Sequence, residues 1–495
     1  MTETAPPIVE SMHGSLHERD KQLRLQRRES LAESLTKWHR RNRYYYSELE
    51  RLYRMHVPPG ATVLHVGCGI GDLLSAVKPS DGLGIDLSDK VVDLARSRHD
   101  GLEFATGDPE DFRFDRTFDY VLLDSALADM SDIQACLECV RTVSHPATRL
   151  IMTYHNALWG PVLHAASLLG LRRPTGQQNW LGPEDFDNLL ALAGFEVVCR
   201  SEETLLPVRV PGLNAVVNRF LGKLWPLRYL ALTQVVVGRP AGPPEGAEQM
   251  SCTVVIPTRN ERGNIVEAIE RLPTIGTHTE VLFVDGNSTD GTAAEIERVI
   301  AANPQMDITL IHQGDGVGKG DAVRRGFAAA RGDVLMILDA DLTVPPEDLP
   351  RFFRAIQLGM GEFINGTRLV YPMEQDAMRF LNKIGNRFFS LLFSWILGQR
   401  LRDTLCGTKV LTRRNYETIA ANRSYFGDFD PFGDFDLIFG AVRADLKIAE
   451  IPVRYRARAY GTTNISRFRH GLLLLKMSWV GFKRLKLRIA ATGSA

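Results

Sequence analysis

The sequence predicts an α/β protein made of two successive open-sheet domains, and three observations carry that expectation. The chain has 495 residues, which at roughly 150 per domain is enough for two large domains, each with its own core. On both sides of the middle, short Val/Ile/Leu runs alternate with amphipathic stretches, the rhythm of buried parallel strands and the helices that cover them. Between them residues 238–250 read GRPAGPPEGAEQM, six of the thirteen being Gly or Pro with no apolar period, the composition of a linker. The expected division is a helical segment over 1–54, a first domain over 55–237, the linker over 238–250 and a second domain over 251–495.

Composition narrows the class. Lys plus Arg (59) equals Asp plus Glu (59), with 44% hydrophobic and 24% charged residues, values of a globular chain rather than a disordered one. No nucleic-acid partner is expected from such a balance. The balance hides an asymmetry, because residues 451–495 hold ten Lys or Arg and no acid, leaving 1–450 at 49 minus 59, a net of minus ten. Six cysteines in this length read as reduced and cytosolic. Cys136 and Cys139 form a lone CxxC without a second pair, so a helix face is preferred to a metal site. The N-terminus lacks a basic region followed by an apolar core, and no run reaches the roughly 18 apolar residues that cross a bilayer, so neither export nor a membrane span is expected. The first 50 residues read as a charged amphipathic helix, solvated rather than a lid.

In the first domain the expected strands are 62–66, 82–86, 120–123, 149–153 and 195–199. The first runs into Gly67-Cys68-Gly69-Ile70-Gly71-Asp72 and then an apolar helix. Glycines at this spacing permit a tight turn and let backbone N–H groups and the helix N-terminus approach a ligand. The next strand ends at Asp86, placed to accept hydrogen bonds from a ribose diol. His155 and Asn156 follow a strand end, where a helix-capping Asn is the simpler account.

These residues resemble the class I S-adenosylmethionine-dependent methyltransferases over about residues 55–200. The resemblance implies a Rossmann-like fold in which Gly67, Gly69, Gly71 and Asp86 hold S-adenosylmethionine and Asp108 sits near its adenine. The chain departs from that pattern at His65, where relatives carry an acid that helps hold the methionyl end of the cofactor. No general base or metal pair marks a methyl acceptor.

In the second domain the expected strands are 252–257, 280–285, 308–312, 334–338 and 363–367. The first stops at Pro257 and turns into Thr258-Arg259-Asn260-Glu261. The second ends at Asp285 followed by GNSTDGT, so two neighbouring parallel strands deliver carboxylates and amides to one edge, where open α/β sheets bind ligands. A nucleotide base suits that edge. Gly316-Val317-Gly318-Lys319-Gly320 supplies glycines and a cation suited to a diphosphate or a crowded turn. The strand at 334–338 ends in Asp339-Ala340-Asp341; in extended chain, positions i and i+2 share a side, and two hard oxygen ligands plus substrate phosphates are how Mg²⁺ or Mn²⁺ is held.

These blocks resemble the family 2 glycosyltransferases of the GT-A fold, in particular enzymes that transfer a sugar to a polyprenyl or dolichyl phosphate, over about residues 251–485. Further matching blocks are Gly366-Thr367-Arg368, Asp403 to Lys409, Gly433-Asp434-Phe435-Asp436, and Arg456 to Asn464, where Asn464 replaces a common Lys and leaves more of the burden to Arg458. The resemblance implies that Pro257, Asn260, Glu261 and Asp285 hold the nucleoside of a UDP- or GDP-linked sugar. Lys319 lies near it or the diphosphate, Arg368 near the nucleotide sugar or an acceptor phosphate, and Asp339 and Asp341 hold the divalent cation. Inverting transfer to a polyprenyl phosphate-type acceptor needs no general base, since a phosphate is already ionised. Were the acceptor a hydroxyl, Asp403 or Asp436 would be the base.

Two stretches point to a membrane surface, residues 386–398 (NRFFSLLFSWILG) and the tail from Ser466, where Leu, Trp and Phe alternate with Lys and Arg in a helical pattern. The expected protein is thus a cytoplasmic fusion, peripheral on the inner face of the membrane. The competing reading moves the sugar to a hydroxyl of a soluble metabolite or glycan. It also makes the N-terminal domain a non-catalytic module that binds S-adenosylmethionine or serves as structure.

Overall fold

A computed structural model describes residues 7–124, 126–173, 178–368, 370, 380–425, 433–456, 460 and 467–487. The chain divides into two compact units, Met1–Ala241 and Gly242–Ala495.

The first unit opens with helices α1 (Pro7–Arg41) and α2 (Arg43–His56). Its strands are β1 (Thr62–Val66), β2 (Asp81–Asp86), β3 (Glu103–Thr106), β4 (Phe118–Asp124), β5 (Ser144–His155), β6 (Phe195–Glu203) and β7 (Thr233–Pro240). They form one sheet in the order β3-β2-β1-β4-β5-β7-β6. The first five pair in parallel, whereas β7 runs antiparallel to both neighbours. Helices α3 (Asp72–Ala76), α4 (Asp89–Arg98), α5 (Ile133–Thr142), α6 (Gly160–Leu168), α7 (Pro183–Leu192) and α8 (Leu213–Arg219) connect them. Apolar residues on both faces explain the near-continuous Val/Leu runs: Leu64, Val66, Val121 and Leu123 pack into one core, Val63 and Leu122 into the other. Cys136 lies buried on α5 within the first of these.

The second unit holds β8 (Cys252–Thr258), β9 (Thr279–Asp285), β10 (Asp307–His312), β11 (Val334–Ile337), β12 (Phe363–Thr367), β13 (Lys409–Thr412) and β14 (Ile448–Pro452), ordered β10-β9-β8-β11-β13-β12-β14. Here β13 is the antiparallel member, wedged between β11 and β12. The helices are α9 (Ile265–Glu270), α10 (Thr292–Ala302), α11 (Gly318–Ala329), α12 (Leu349–Gln357), α13 (Phe380–Leu397), α14 (Arg413–Ala421), α15 (Asp434–Arg443) and α16 (Arg467–Gly481). Again alternate residues of each strand feed opposite layers, Val255, Leu335 and Ile337 against Phe435 and Phe439, and Val254, Ile256 and Met336 against Phe352 and Phe353.

Each expected strand coincides with an observed one, and four more appear: β3, β7, β13 and β14. Two corrections follow. Each sheet is mixed rather than purely parallel. The linker also starts later than 238, because Gly238 pairs with Leu150, and Pro240 opposite Phe195 closes β7. Proline is admitted there because pairing with β5 ends at Gly238, so at Pro240 the strand is flanked by β6 alone and is locally an edge.

Lys409 on β13 is fully buried, with Nζ donating to the Cys406 carbonyl (2.5 Å) and paired with Asp434 Oδ1 (2.9 Å). A buried ion pair is costly to break from one side, and this one joins the sheet centre to the start of α15. Lys409→Met is expected to cost about 3–5 kcal/mol, read as lost amide-exchange protection in β13 and α15. Adding Asp434→Leu should restore part of it.

Candidate functional sites

In the first unit the chain leaves β1 through Gly67, Gly69 and Gly71, whose φ angles are 74°, 55° and 80°. Gly67 and Cys68 donate their backbone N–H groups to Ile85 O at 2.8 and 2.9 Å. A Cβ on Gly67 would stand 2.7 Å from that of Ala126, whereas one on Gly69 would meet nothing within 4 Å, so the first glycine serves packing and the second leaves an open face. At the end of β2, buried Asp86 accepts from Gly69 N (3.1 Å) and Ser88 N (3.3 Å). Asp108 accepts from Glu110 N at 3.0 Å.

Helix α1 lies across this edge. Arg28 stands 3.5 Å from Asp86 Oδ2, Lys21 3.1 Å from Asp108 Oδ2, and Arg24 is paired with Glu110. Ala32 and Leu35 pack with Ile70 and Val91. The reading of a merely solvated helix is therefore corrected: α1 covers the edge that carries both acids. The signal was present in the chain, since Lys21, Arg24 and Arg28 are spaced i, i+3, i+7 on one helical face.

The acid missing at position 65 comes from another strand. His65 Nε2 lies 3.0 Å from Asp124 Oδ1 at the end of β4. Burial pushes the Asp124 carboxyl up, but His65, and more weakly His39 and Arg28, bring it below the usual range. Both residues line a cavity of about 400 Å³ together with Gly67, Gly69, Trp38, Tyr45 and His155. Asn156 caps the turn that follows by accepting from Leu158 N (3.1 Å), as its residue type suggested, while His155 faces the cavity. Tyr45 Oη lies 3.1 Å from His155 Nε2. Burial, with Arg172 and Arg173, pushes His155 down to about 3, and burial pushes Tyr45 up to about 12. His155 is thus neutral when folded, and as pH falls below its ordinary 6.5 the unfolded chain gains a proton that the folded chain refuses until about 3. Stability should fall across that window by about 1.4 kcal/mol per pH unit. The check is the pH dependence of β5 amide-exchange protection against His155→Gln, which should flatten it.

In the second unit β8 and β9 end side by side, with Thr258 opposite Asp285. Asn260 takes φ of 59°, donates its N–H to Ser288 Oγ (2.9 Å) and accepts from Thr289 N (2.8 Å). Glu261 accepts from Asn264 Nδ2 at 2.7 Å. Pro257 is half-buried beside them. Asp285 is buried; its Oδ2 accepts from Ser288 N (3.2 Å), and its Oδ1 has no hydrogen-bond partner among the described residues.

Beyond β11, Asp339 and Asp341 do not stand alike. Asp339 has 29% of its side chain exposed and its Oδ1 lies 2.5 Å from Lys319 Nζ. Asp341 is 9% exposed, and its Oδ1 accepts from Thr343 N (3.2 Å) and Oγ1 (2.8 Å). Burial opposes the Lys319 charge, but Asp339, Asp434 and Asp341 raise its proton affinity above the ordinary lysine value. One ammonium therefore senses three carboxylates. Gly433 makes that possible, since a Cβ there would stand 2.3 Å from Gly320 Cα, so the starts of α15 and α11 meet. Gly407 closes the other side; a Cβ on it would lie 1.8 Å from Asp339 Oδ2 and 2.7 Å from Lys319 Nζ.

The remaining candidates are placed differently from the sequence expectation. Arg368 binds Asp403 through Nε (2.7 Å), a second guanidinium nitrogen (2.8 Å) and its backbone N (3.0 Å), and it stacks over Tyr455. Burial raises the Asp403 carboxyl, but Arg368 brings it below its ordinary value. Arg368 thus has its guanidinium engaged by Asp403. Asp436 is likewise held by Arg423 at 2.8 Å. Arg458 lies outside the described residues. Among the described residues no group of three or more His, Cys, Asp or Glu is arranged to hold a metal.

Residues 58–180 match the sequence profile of a methyltransferase domain, and residues 253–419 that of glycosyl transferase family 2. The chain joins a methyltransferase domain to a family 2 glycosyl transferase domain. The glycosyl transferase half is 28% identical over 221 residues to a dolichol-phosphate mannosyltransferase of Pyrococcus furiosus, covering 44% of this chain and 59% of that one. It is 29% identical to glycosyltransferase AglJ of Haloferax volcanii, over 44% of this chain and 67% of that one. It is 28% identical to an undecaprenyl-phosphate 4-deoxy-4-formamido-L-arabinose transferase of Salmonella paratyphi B, over 44% and 63%. The chain thus spans less than two thirds of the length of the Pyrococcus and Salmonella relatives.

Within the glycosyl transferase domain, Gly407→Ala is expected to part Lys319 from Asp339 and to cost about 1–3 kcal/mol of stability through overpacking. Chemical denaturation beside Gly385→Ala, where a Cβ meets nothing within 4 Å, separates that strain from an ordinary Gly→Ala effect.

Proposed function

We propose that the second unit transfers a sugar from a UDP- or GDP-linked donor to a polyprenyl phosphate-type lipid, with inversion and with a divalent cation. The single observation that carries this reading is the gathering of Asp339, Asp341 and Lys319 beside the carboxyl ends of β8, β9 and β11, where Asp285 keeps one carboxylate oxygen without a partner among the described residues. An unpaired buried acceptor at a sheet edge is costly unless a ligand donor completes it, and a nucleobase N–H does so. The names of the Pyrococcus and Salmonella relatives, which act on dolichol phosphate and undecaprenyl phosphate, supply the acceptor class.

The residues present fit a dication. Lys319 Nζ already stands where positive charge is required against Asp339, and two carboxylates leave the remaining positions to substrate phosphates and water, the usual arrangement for Mg²⁺. Asp339 and Asp341 would hold it, and it would supply Lewis-acid stabilisation of the departing nucleoside diphosphate. The chain's own part is positioning and charge. Thr343 fixes the Asp341 carboxylate by two hydrogen bonds. Lys319, beside Asp339, would offer the diphosphate a charge contact of roughly 4 kcal/mol at 4 Å and effective dielectric near 20. Pro257, Asn260 and Glu261 line the nucleoside edge.

The acceptor is favoured as a phosphate over a hydroxyl by a specific observation. The two carboxylates best placed by motif to act as bases, Asp403 and Asp436, are both bound to arginines, which engages their lone pairs and, at Asp403, lowers the proton affinity. An ionised phosphate needs neither. A lipid acceptor also suits the exposed apolar stripe of Phe388, Leu391, Leu472, Leu475 and Trp479 on α13 and α16, helices that pack on each other through Phe393, Ile396 and Met477. Among the described residues no helix is long and apolar enough to cross a membrane; the stripe suits attachment in the interface plane.

The first unit, on the same proposal, binds S-adenosylmethionine on Gly67, Gly69 and Gly71, with Asp86 on the ribose and Asp108 toward the adenine. The open face at Gly69 and the His65–Asp124 pair on the cavity wall support it. When bound, that cofactor supplies an electrophilic methyl group; Arg28 and Lys21 would yield or share their carboxylates with it.

Screening UDP- and GDP-sugars with Mn²⁺ and a polyprenyl phosphate tests the main reading. Asp341→Asn is expected to lower turnover by about a hundredfold or more, and chelation of the metal to do the same. Equal rates in the two proteins, or transfer to water-soluble hydroxyl acceptors alone, would overturn it.

A further inference from the structure

The first unit carries an apolar surface that the cofactor reading leaves unused. It is built from two segments, 156–173, which includes α6, and 204–232, which includes α8. They are tied together by Asn156 Nδ2 donating to Tyr229 O (2.8 Å) and Trp159 Nε1 donating to Leu230 O (2.8 Å). Large apolar side chains stand in water along both, with Leu168 and Trp225 each 76% exposed and Leu158, Leu169, Phe220 and Val216 also exposed. Scattered surface leucines are normal, but a run of this kind on two adjoining segments marks an interaction face.

Two further features decide its partner. Residues 156–173 and 204–232 contain Arg172, Arg173, Arg209, Arg219, Lys223 and Arg228 and no Asp or Glu. Lys223 pairs inside the unit with Glu203, and the absence of acids from both segments sets the sign of the face. The surface is also continuous with the cavity, because Val162, Leu171 and Val208 are exposed and line it at once. At that junction stand Arg172, whose guanidinium donates to Gln178 Oε1 at 3.3 Å, and Arg173, 3.8 Å from Asp129 Oδ2. Burial and the neighbouring Arg173 both disfavour the charge on Arg172, so an anion placed between them would relieve that cost. A protein partner has no need of a cavity opening through the contact face. A bilayer does, since a lipid can pass from the apolar surface into the apolar interior without crossing water.

We propose that the first unit docks on an anionic bilayer through α6 and the 204–232 segment, and takes an anionic lipid into the cavity with its head group between Arg172 and Arg173. The inference rests on the methyl-transfer reading only for what becomes of the lipid, which it makes the methyl acceptor class.

The full chain is used for the test, with Leu472→Glu and Trp479→Glu in the second unit so that vesicle binding reads the first. This protein is expected to co-sediment with phosphatidylcholine–phosphatidylglycerol vesicles at low salt and not with phosphatidylcholine alone. Adding Leu168→Glu, Leu169→Glu and Trp225→Glu should weaken binding by about tenfold or more. Absence of binding, or no change with the added substitutions, overturns the membrane face, as does a dimer that those substitutions dissociate while vesicle binding persists.

Calorimetry with dodecyl phosphate below its micelle threshold reads the cavity. Arg172→Ala with Arg173→Ala should weaken binding about tenfold or more, and Ala166→Trp, which fills the wall, should abolish it. Dodecanoate in parallel distinguishes a phosphate head from a carboxylate. Binding of inorganic phosphate as tight as that of the lipid, or indifference to Ala166→Trp, overturns the inference. S-adenosylhomocysteine is titrated into the same proteins. Retained binding in the arginine variant is expected, whereas its loss would assign the arginines to the cofactor and sink the lipid site. Dodecyl phosphate bound by a protein that takes no S-adenosylhomocysteine would leave the lipid site standing and remove methyl transfer.

Discussion

Both units depend on one constraint: carboxylates stand at strand ends or in the loops and helix starts beside them, and each must be met by positive charge or N–H donors from elsewhere in the chain. Asp86 takes the Gly69 and Ser88 amides and Arg28; Asp339 takes Lys319; Asp403 takes Arg368; Asp434 takes Lys409. Desolvating a carboxylate costs several kcal/mol if nothing compensates it. The position of α1, the docking of α15 beside α11 and the burial of a lysine at the centre of a sheet all follow from that need. On the proposed reading a ligand enters each edge by replacing or joining a cation the protein has already supplied, so the carboxylates are oriented before it arrives, which is the meaning of preorganisation here.

What could be read in the chain was what short-range pattern determines. The strand ends at Val66, Asp86, Thr258 and Asp285 were legible because an apolar run that stops at Gly, Pro or Asp records both a buried strand and its exit. So was the Asp339–Asp341 pair at the end of β11. The strands β7 and β13 were not, for different reasons. The apolar run of β7 abuts Gly and Pro that read as a linker, and its antiparallel insertion between β5 and β6 is decided by long-range pairing. β13 has four residues and begins with a lysine, the residue type least expected at a sheet centre; the Cys406 carbonyl and Asp434, 25 positions away in sequence, make it tolerable.

The side-chain partnerships were the least legible. The resemblance set Arg368 near the nucleotide sugar or an acceptor phosphate, and in the structure Asp403 holds its fork. His65 looked like a lost acid, yet Asp124 restores a carboxylate at the same place from the neighbouring strand. In both cases the residue type was read correctly and the partner was not, since a bidentate or ring contact joins residues 35 and 59 positions apart. Spacing rules reach along one helix or one strand and no further.

The same bookkeeping of charge bears on what the two units can do with a lipid. A base-free site and an acid-free apolar face are two expressions of one chemistry. In the glycosyl transferase domain the acids that motif position would nominate as bases are held by arginines, which suits the proposed nucleophile, a phosphate already ionised. In the methyltransferase domain the apolar face excludes carboxylates altogether, so an anion is the head group that meets no repulsion there. Arg172 and Arg173 both line the cavity and Arg173 disfavours the charge on its neighbour, a repulsion that a neutral acceptor would leave in place. An anionic acceptor removes that repulsion on binding. The energy so recovered is differential, present only in the complex, and therefore selects an anionic ligand over a neutral amphiphile of the same shape.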